Sequence, residues 1–410
     1  MPDSGSLKIS VISSLGMIPV EGASVSISYT GDPGAPLMEL TTDSSGQTSI
    51  VELPAPPVEL SLQPDPDAQP YSEYNISVTA EGYEPVLVSG SEILANELSL
   101  QPIRMNPLSN IGDEEEHVDI PAHTLFYDYP PKIPEDEIKP MDESGEIVLS
   151  RVVIPEYIIV HDGVPSDSTA PNYWVRYKDY IKNVASSEIY STWPESSIYA
   201  NILAIMSFTL NRVYTEWYRN QGYNFTITSS TAYDQKFIYG RNIYENIDVL
   251  VDTIFANYLS RPGVRQPILT SYCDGQRVTC SGLSQWGSKY LGDEGYSAIE
   301  IIRYYFGNDM FINTAVAISG VPSSYPGYDL GIGSSGEKVR QLQTQINRIA
   351  RNYPAIPTVT VDGIYGPATA EAVRVFQGVF NLPQTGVTDY PTWYEISEIY
   401  VGVSRIAEPG

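Results

Sequence analysis

A chain of 410 residues with 42% apolar content has room for two to four globular domains, each with its own core. The formal charge of −27 is lopsided: residues 1–150 carry 26 acids against 4 bases, and the rest 24 against 19. That field repels phosphates and argues against a nucleic-acid partner. Two cysteines and three histidines are too few for a Cys/His zinc cage, so no metal and no cofactor is expected. No charged-then-apolar leader opens the sequence and no eighteen-residue apolar run occurs, so neither an N-terminal signal peptide nor membrane insertion is expected.

Residues 1–105 read as an all-β sandwich. Leu7, Ile9 and Val11 alternate with polar residues, as do Ala23, Val25 and Ile27, and then Tyr74, Ile76 and Val78. The stretches TTDSSGQTSI and YNISVTAEGYEPV resemble carboxypeptidase-regulatory-like modules, which act as spacers or accessory units. Residues 106–150 form a charged, proline-punctuated connector with Asp113-Glu114-Glu115-Glu116, Pro130-Pro131 and Pro134-Glu135-Asp136-Glu137. Ile147 to Pro155 then reads as a strand. Two readings stay open: a plain linker, or an acidic pro-region cut near 147–153.

Residues 151–320 are expected to be an α+β domain organised around Val184 to Tyr214. Tyr173, Tyr177, Tyr180, Ile181 and Val184 recur at helical spacing, and the series ends on Glu188. Pro194 fits the first turn of a second helix, with Glu195 as its cap. Ile198, Ile202, Leu203, Ile205, Met206, Leu210 and Val213 leave that helix little polar surface. Glu188 would hang at the junction against aromatic walls that oppose its ionisation, as a general acid requires. Further on, a strand is expected over 267–272 and a helix over 243–259.

The pattern Glu188-x4-Trp193-Pro194 before an apolar helix resembles the catalytic segment of the SpoIID family, lytic transglycosylases of peptidoglycan. Asp234-Gln235 with Tyr239-Gly240, and Gly282-Leu283-Ser284-Gln285-Trp286-Gly287, resemble two further blocks of that family. The resemblance implies Glu188 as the catalytic acid. Ser284, Gln285, Asp234 and Gln235 are candidates for holding sugar groups, and Tyr272 and Trp286 for stacking on sugar faces, with core packing as the alternative for the aromatics. Thr279, Tyr233 and Asp234 stand where the family often has His or Cys, so a zinc site is not carried over. Asp234 and Asp274 are candidate second carboxylates. Cys273 and Cys280 could close a short loop as a disulfide or stay reduced.

Residues 330–400 read as a small three-helix unit. Val339, Leu342, Ile346 and Ile349 form one stripe, Asp362-Gly363 makes a turn, and Thr369 is placed as the cap of a helix bearing Ala372, Val373 and Phe376. The order of these features resembles the peptidoglycan-binding-1 domain. The whole multidomain arrangement is similar to the SleC family of spore cortex-lytic enzymes, which implies a spore location, cortex peptidoglycan as partner, and activation in germination by a subtilisin-like Csp protease. Hydrolysing a glycosidic bond usually takes two carboxyl groups, whereas a lytic transglycosylase can use one, because the attacking C6 hydroxyl is already tethered to the sugar. The alternatives are a non-catalytic wall binder or amidase enhancer, and a peptide-cutting amidase.

Overall fold

The computed structural model describes residues 3–108, 115–127, 129–139, 149, 151–321 and 323–404. The N-terminal strands are β1 (Asp3–Ser13), β2 (Ser24–Tyr29), β3 (Asp32–Thr41), β4 (Val51–Ala55), β5 (Ser72–Thr79), β6 (Val86–Ile93) and β7 (Leu98–Met105), with β8 (Glu116–Asp119) added from the connector. One sheet runs β3-β2-β5-β6-β8, and the other joins β4, β1 and β7. The period-2 pattern decides which face is covered. Leu7, Ile9 and Val11 of β1 and Val25 and Ile27 of β2 are all fully buried in one apolar cluster shared by both sheets.

The middle unit contains β9 (Val153–Ile154), β10 (Tyr157–His161), β11 (Asn172–Arg176), α1 (Tyr177–Glu188), α2 (Glu195–Tyr214), β12 (Ile227–Thr228), β13 (Ile243–Tyr244), α3 (Glu245–Ile254), α4 (Gln285–Asp293) and α5 (Ala298–Phe306). Its axis is α2, twenty residues long and buried over nearly its whole length. Burying a polar group without a partner is costly, and several polar side chains of this helix find hydrogen-bond acceptors. Asn201 donates to Ser288 Oγ at 2.7 Å, Ser207 to the Ile268 carbonyl at 2.8 Å, and Asn211 to the Pro267 carbonyl at 2.8 Å.

Several elements differ from the sequence expectation. Tyr173 lies in β11, so the helix begins only at Tyr177. Pro194 precedes α2 as its N-cap, with its carbonyl accepting from Ser197 and Ile198, and Glu195 sits in the first turn. The expected 243–259 helix is shortened at both ends by strand pairing. Ile243 and Tyr244 pair with β7, and Asn257–Ser260 pairs with Phe311–Thr314. Over 267–272 only Tyr272 is in a strand, Tyr272–Cys273 pairing with Leu283–Ser284. Of the expected strand at 147–155, Val153–Ile154 is formed, while 147, 148 and 150, part of the expected cleavage segment, lie outside the described residues.

The units are bound to each other. β13 extends the N-terminal sheet past β7, and the fully buried Arg241 and Glu92 form an ion pair at 2.7 Å beneath it. The C-terminal unit is three helices, α6 (Glu337–Ala350), α7 (Pro367–Val379) and α8 (Tyr390–Ser404). Thr369 lies inside α7, because the helix already starts at Pro367, whose missing N–H costs nothing in a first turn. Gly363 adopts φ 76°, a left-handed turn that favours glycine, and its N–H donates to the buried Gln343 side chain at 2.8 Å. At the join with the middle unit, Lys178 of α1 meets Glu395 and Glu398 of α8 and Asp252 of α3, and Lys182 meets Asp248 and Asp252.

Candidate active site

Glu188 is the last residue of α1, where Ile189 turns extended and stops the helix. Its carboxylate has no exposed surface. The Lys236 backbone N–H donates to Oε1 at 2.6 Å, and the Gln285 side-chain amide lies 3.5 Å from Oε2. The Tyr272 hydroxyl stands beside the carboxylate but outside good hydrogen-bond geometry, and has no other partner. Burial pushes the Glu188 pKa above the ordinary carboxylate range, opposed by the Lys132 charge, the Lys236 amide and the Tyr272 hydroxyl. A carboxyl shifted in this direction holds its proton to higher pH, as a general acid requires.

The Trp193-Pro194 corner is packing. Trp193 lies 4.8 Å from Trp286, centre to centre, and its indole N–H donates to the Ser61 carbonyl of the N-terminal unit at 3.0 Å. Trp286 and Tyr272 are each 1% exposed, so neither has a ring face open to a sugar in this form. Ser284 caps α4 by accepting from the Gly287 N–H at 2.9 Å. Gln235 is engaged at both ends of its amide, by Tyr180, Thr209 and the Ile205 carbonyl. Both oxygens of Asp234 are taken by protein donors: Arg212 at 2.7 Å, Tyr218 at 2.6 Å, and the Thr228 amide and hydroxyl at 2.9 and 2.7 Å. Asp274 accepts from the backbone of Gln276, Arg277 and Val278, closing a loop that the Cys273–Cys280 disulfide also ties.

The connector, for which the sequence left a plain linker and a cleavable pro-region open, lies as a strap across this site. Thr124 donates to the Ser187 carbonyl at 2.6 Å, one residue before the acid. Tyr129 is buried near Glu188 and Asp274. Lys132 is half-buried, donating to the Asp234 carbonyl at 2.6 Å with its ammonium 4.3 Å from the Tyr272 ring centre. Beyond it, Glu135 grips Arg212 through two bonds of 2.9 and 2.5 Å, and Glu137 pairs with Arg261. Lys139 and Gln266 exchange two hydrogen bonds. A cleft of about 460 Å³ runs between the strap at Pro121, Thr124, Tyr127 and Pro130 and the wall at Ser229 and Lys236.

Residues 335–396 match the family described as "Putative peptidoglycan binding domain". The C-terminal helical unit is therefore similar to domains that bind peptidoglycan. Over 71 residues the chain is 38% identical to a zinc D-Ala-D-Ala carboxypeptidase of Streptomyces albus G, which is 17% of this chain and 26% of that protein. The chain thus spans about a quarter of the length of that curated relative. Among solved structures, the SleB N-terminal domain overlaps 18% of this chain and 93% of its own at 32% identity and a TM-score of 0.16. GBS52, the minor pilin of Streptococcus agalactiae, overlaps 27% of this chain and 48% of its own at 14% identity and a TM-score of 0.19.

Proposed function

We propose that the protein is a spore cortex peptidoglycan lytic transglycosylase held as a precursor, with Glu188 as its acid and then its base. The observation that carries this reading is the buried Glu188, raised in pKa and lying under a strap from the acidic connector. The helical unit similar to peptidoglycan-binding domains supports the same substrate class. In the reaction, Glu188 protonates the glycosidic oxygen of a MurNAc–GlcNAc bond, and the C1–O bond breaks with its electron pair going to that oxygen. The C6 hydroxyl oxygen of the same muramic sugar then bonds to C1 while its proton passes to the Glu188 carboxylate. The product is a 1,6-anhydro-MurNAc end, and Glu188 is protonated again. One carboxyl suffices because the nucleophile is tethered. Both oxygens of Asp234 are committed to Arg212, Tyr218 and Thr228, and Asp274 accepts from the backbone of Gln276, Arg277 and Val278, which supports the one-carboxylate reading.

Activation would be a cut near 147–153 by a subtilisin-like Csp protease during germination, in the cortex and coat region of the spore, freeing the strap to leave. A second reading, a non-catalytic wall binder or amidase enhancer, is favoured by the complete enclosure of Glu188. Mass spectrometry of cortex digested by the full chain and by protease-processed protein separates the two. Anhydro ends from the processed protein alone support the precursor transglycosylase. Reducing ends point to a hydrolase, and no new glycan ends from either form refute a glycan-cleaving enzyme.

A further inference from the structure

The inward end of Lys132 has an unusual setting. Its ammonium is 4.3 Å from the Tyr272 ring centre and 4.9 Å from that of Phe208, and it donates to the Asp234 carbonyl at 2.6 Å. The Glu188 carboxylate is near enough to act on its charge without forming a direct ion pair. Two aromatic faces, a carbonyl oxygen and a carboxylate converge on one point and attract a positive charge, against burial and the nearby Arg212 charge, which bring the Lys132 pKa down to about 8. Around the same carboxylate, the Tyr129 hydroxyl, the Tyr272 hydroxyl and the Gln285 amide oxygen are buried polar atoms without protein partners. Each leaves a desolvated polar atom at a cost of roughly 1–3 kcal/mol. Glu135, Glu137 and Lys139 anchor by pairings that hold chain to chain, and Tyr129 by burial. Lys132 alone places a charge on the rings beside the acid.

We propose that the Tyr272 and Phe208 rings, the Asp234 carbonyl and the Glu188 carboxylate form a cation subsite of which Lys132 is the internal occupant, and that once the strap leaves, the site takes the positively charged glycosyl centre of an amino-sugar strand and binds protonated amines. The second half rests on the glycan-cleaving reading above; the first does not. A glycoside transition state carries positive charge at C1 and the ring oxygen. A lysine at that point would mimic the charge of the transition state, which is why the strap would hold the site closed while offering nothing that can be cleaved.

The test removes the occupant from the full-length chain. Lys132→Ala deletes a propylammonium-sized group, so its melting temperature should rise saturably with n-propylammonium chloride and not with equimolar sodium chloride or 1-propanol. Lys132→Met, which refills the space without charge, should respond to none of them. If Lys132→Ala does not accumulate folded, its refolding yield is measured instead, with recovery by the amine and not by the alcohol. An equal response to 1-propanol, an equal response of Lys132→Met, or no saturable response to the amine would each overturn the subsite. Protease-processed protein is assayed in parallel with a hydroxylated piperidine, which should inhibit in its protonated form. An amine response without new glycan ends would remove the glycan half and leave the subsite standing. Anhydro ends without an amine response would remove the subsite alone.

Discussion

Glu135→Ala cuts the strongest anchor of the strap without touching Glu188. Arg212 would lose two bonds, of 2.9 and 2.5 Å, and keep Asp234 and the Tyr233 carbonyl, while Lys139 would lose the same partner. Exposed ion pairs contribute about 0.2–1 kcal/mol, whereas removing one partner of a buried pair costs about 3–5 kcal/mol. The Arg212 side chain is fully buried and that of Glu135 is 18% exposed, which places this pair between those limits, at about 2–3 kcal/mol. At about 1.4 kcal/mol per tenfold, release of the strap should be about 30–150 times more frequent. Backbone hydrogen exchange across 129–139 should accelerate by that factor, with protection of α2 unchanged, because exchange of a local segment follows its own opening equilibrium. Residual cortex lysis by the unprocessed chain should rise in step. Exchange over 129–139 within twofold of wild type, or acceleration spread evenly over the whole chain, would refute the strap as a locally closed cover.

Glu188→Gln keeps an acceptor for the Lys236 N–H but has no proton to give, so cortex cleavage by processed protein should fall about 10²–10⁴-fold with wall binding retained; cleavage within threefold of wild type removes Glu188 from its role. Replacing Cys273 and Cys280 by Ser frees an eight-residue loop, and loop-closure entropy predicts a loss of about 2.5 kcal/mol, read from urea unfolding and absent if the wild type is reduced first. At the join of α1 and α8, burial pushes Glu395 up to about 7 and Asp248 up to about 6, whereas the lysines hold Asp252 and Glu398 below their ordinary range. The two raised groups favour the fold fully below their unfolded pKa values and lose that contribution as pH rises through 6 to 7. The two lowered groups act only at more acid pH. The melting temperature should therefore fall between pH 5 and 7.5, and Glu395→Gln should flatten part of that slope; an unchanged slope in the variant would exclude Glu395 as its source.

What was legible in the sequence is what repeats with a period or turns on a special residue. Alternation in β1 and β2, the apolar α2 and the stripe of α6 each record which face is covered, so their existence could be read directly. Glu188 could be placed because the helical series leading to it is apolar and the series ends on an acid. The strap could not be seen this way. Its residues anchor singly, Tyr129 by burial, Lys132 by a reach inward, and Glu135 and Glu137 by arginines 77 and 124 residues away, and no local pattern encodes partners so distant. Charge density made it look solvated, yet several of those charges are neutralised one by one by the middle unit. Asp234 illustrates the converse: a carboxylate in a motif reads as chemistry, and only the four donors around it reveal a structural role. Lys236 had no sequence signal, because it serves through its backbone.

The cluster of opposite charges at Lys178 and Lys182 has a mechanical consequence. These lysines and Glu188 ride on one helix, and the ten helical steps from Lys178 to Glu188 span about 15 Å. Every member of the cluster, from Lys178 to Glu398, comes after residue 151, so a cut near 147–153 would leave it whole while severing the covalent link to the strap. The C-terminal helices would then be a fixed ruler rather than a trailing anchor. A strand gripped by them would meet Glu188 at a set offset, and cuts would fall at regular spacing from the point of grip instead of at random along the polymer.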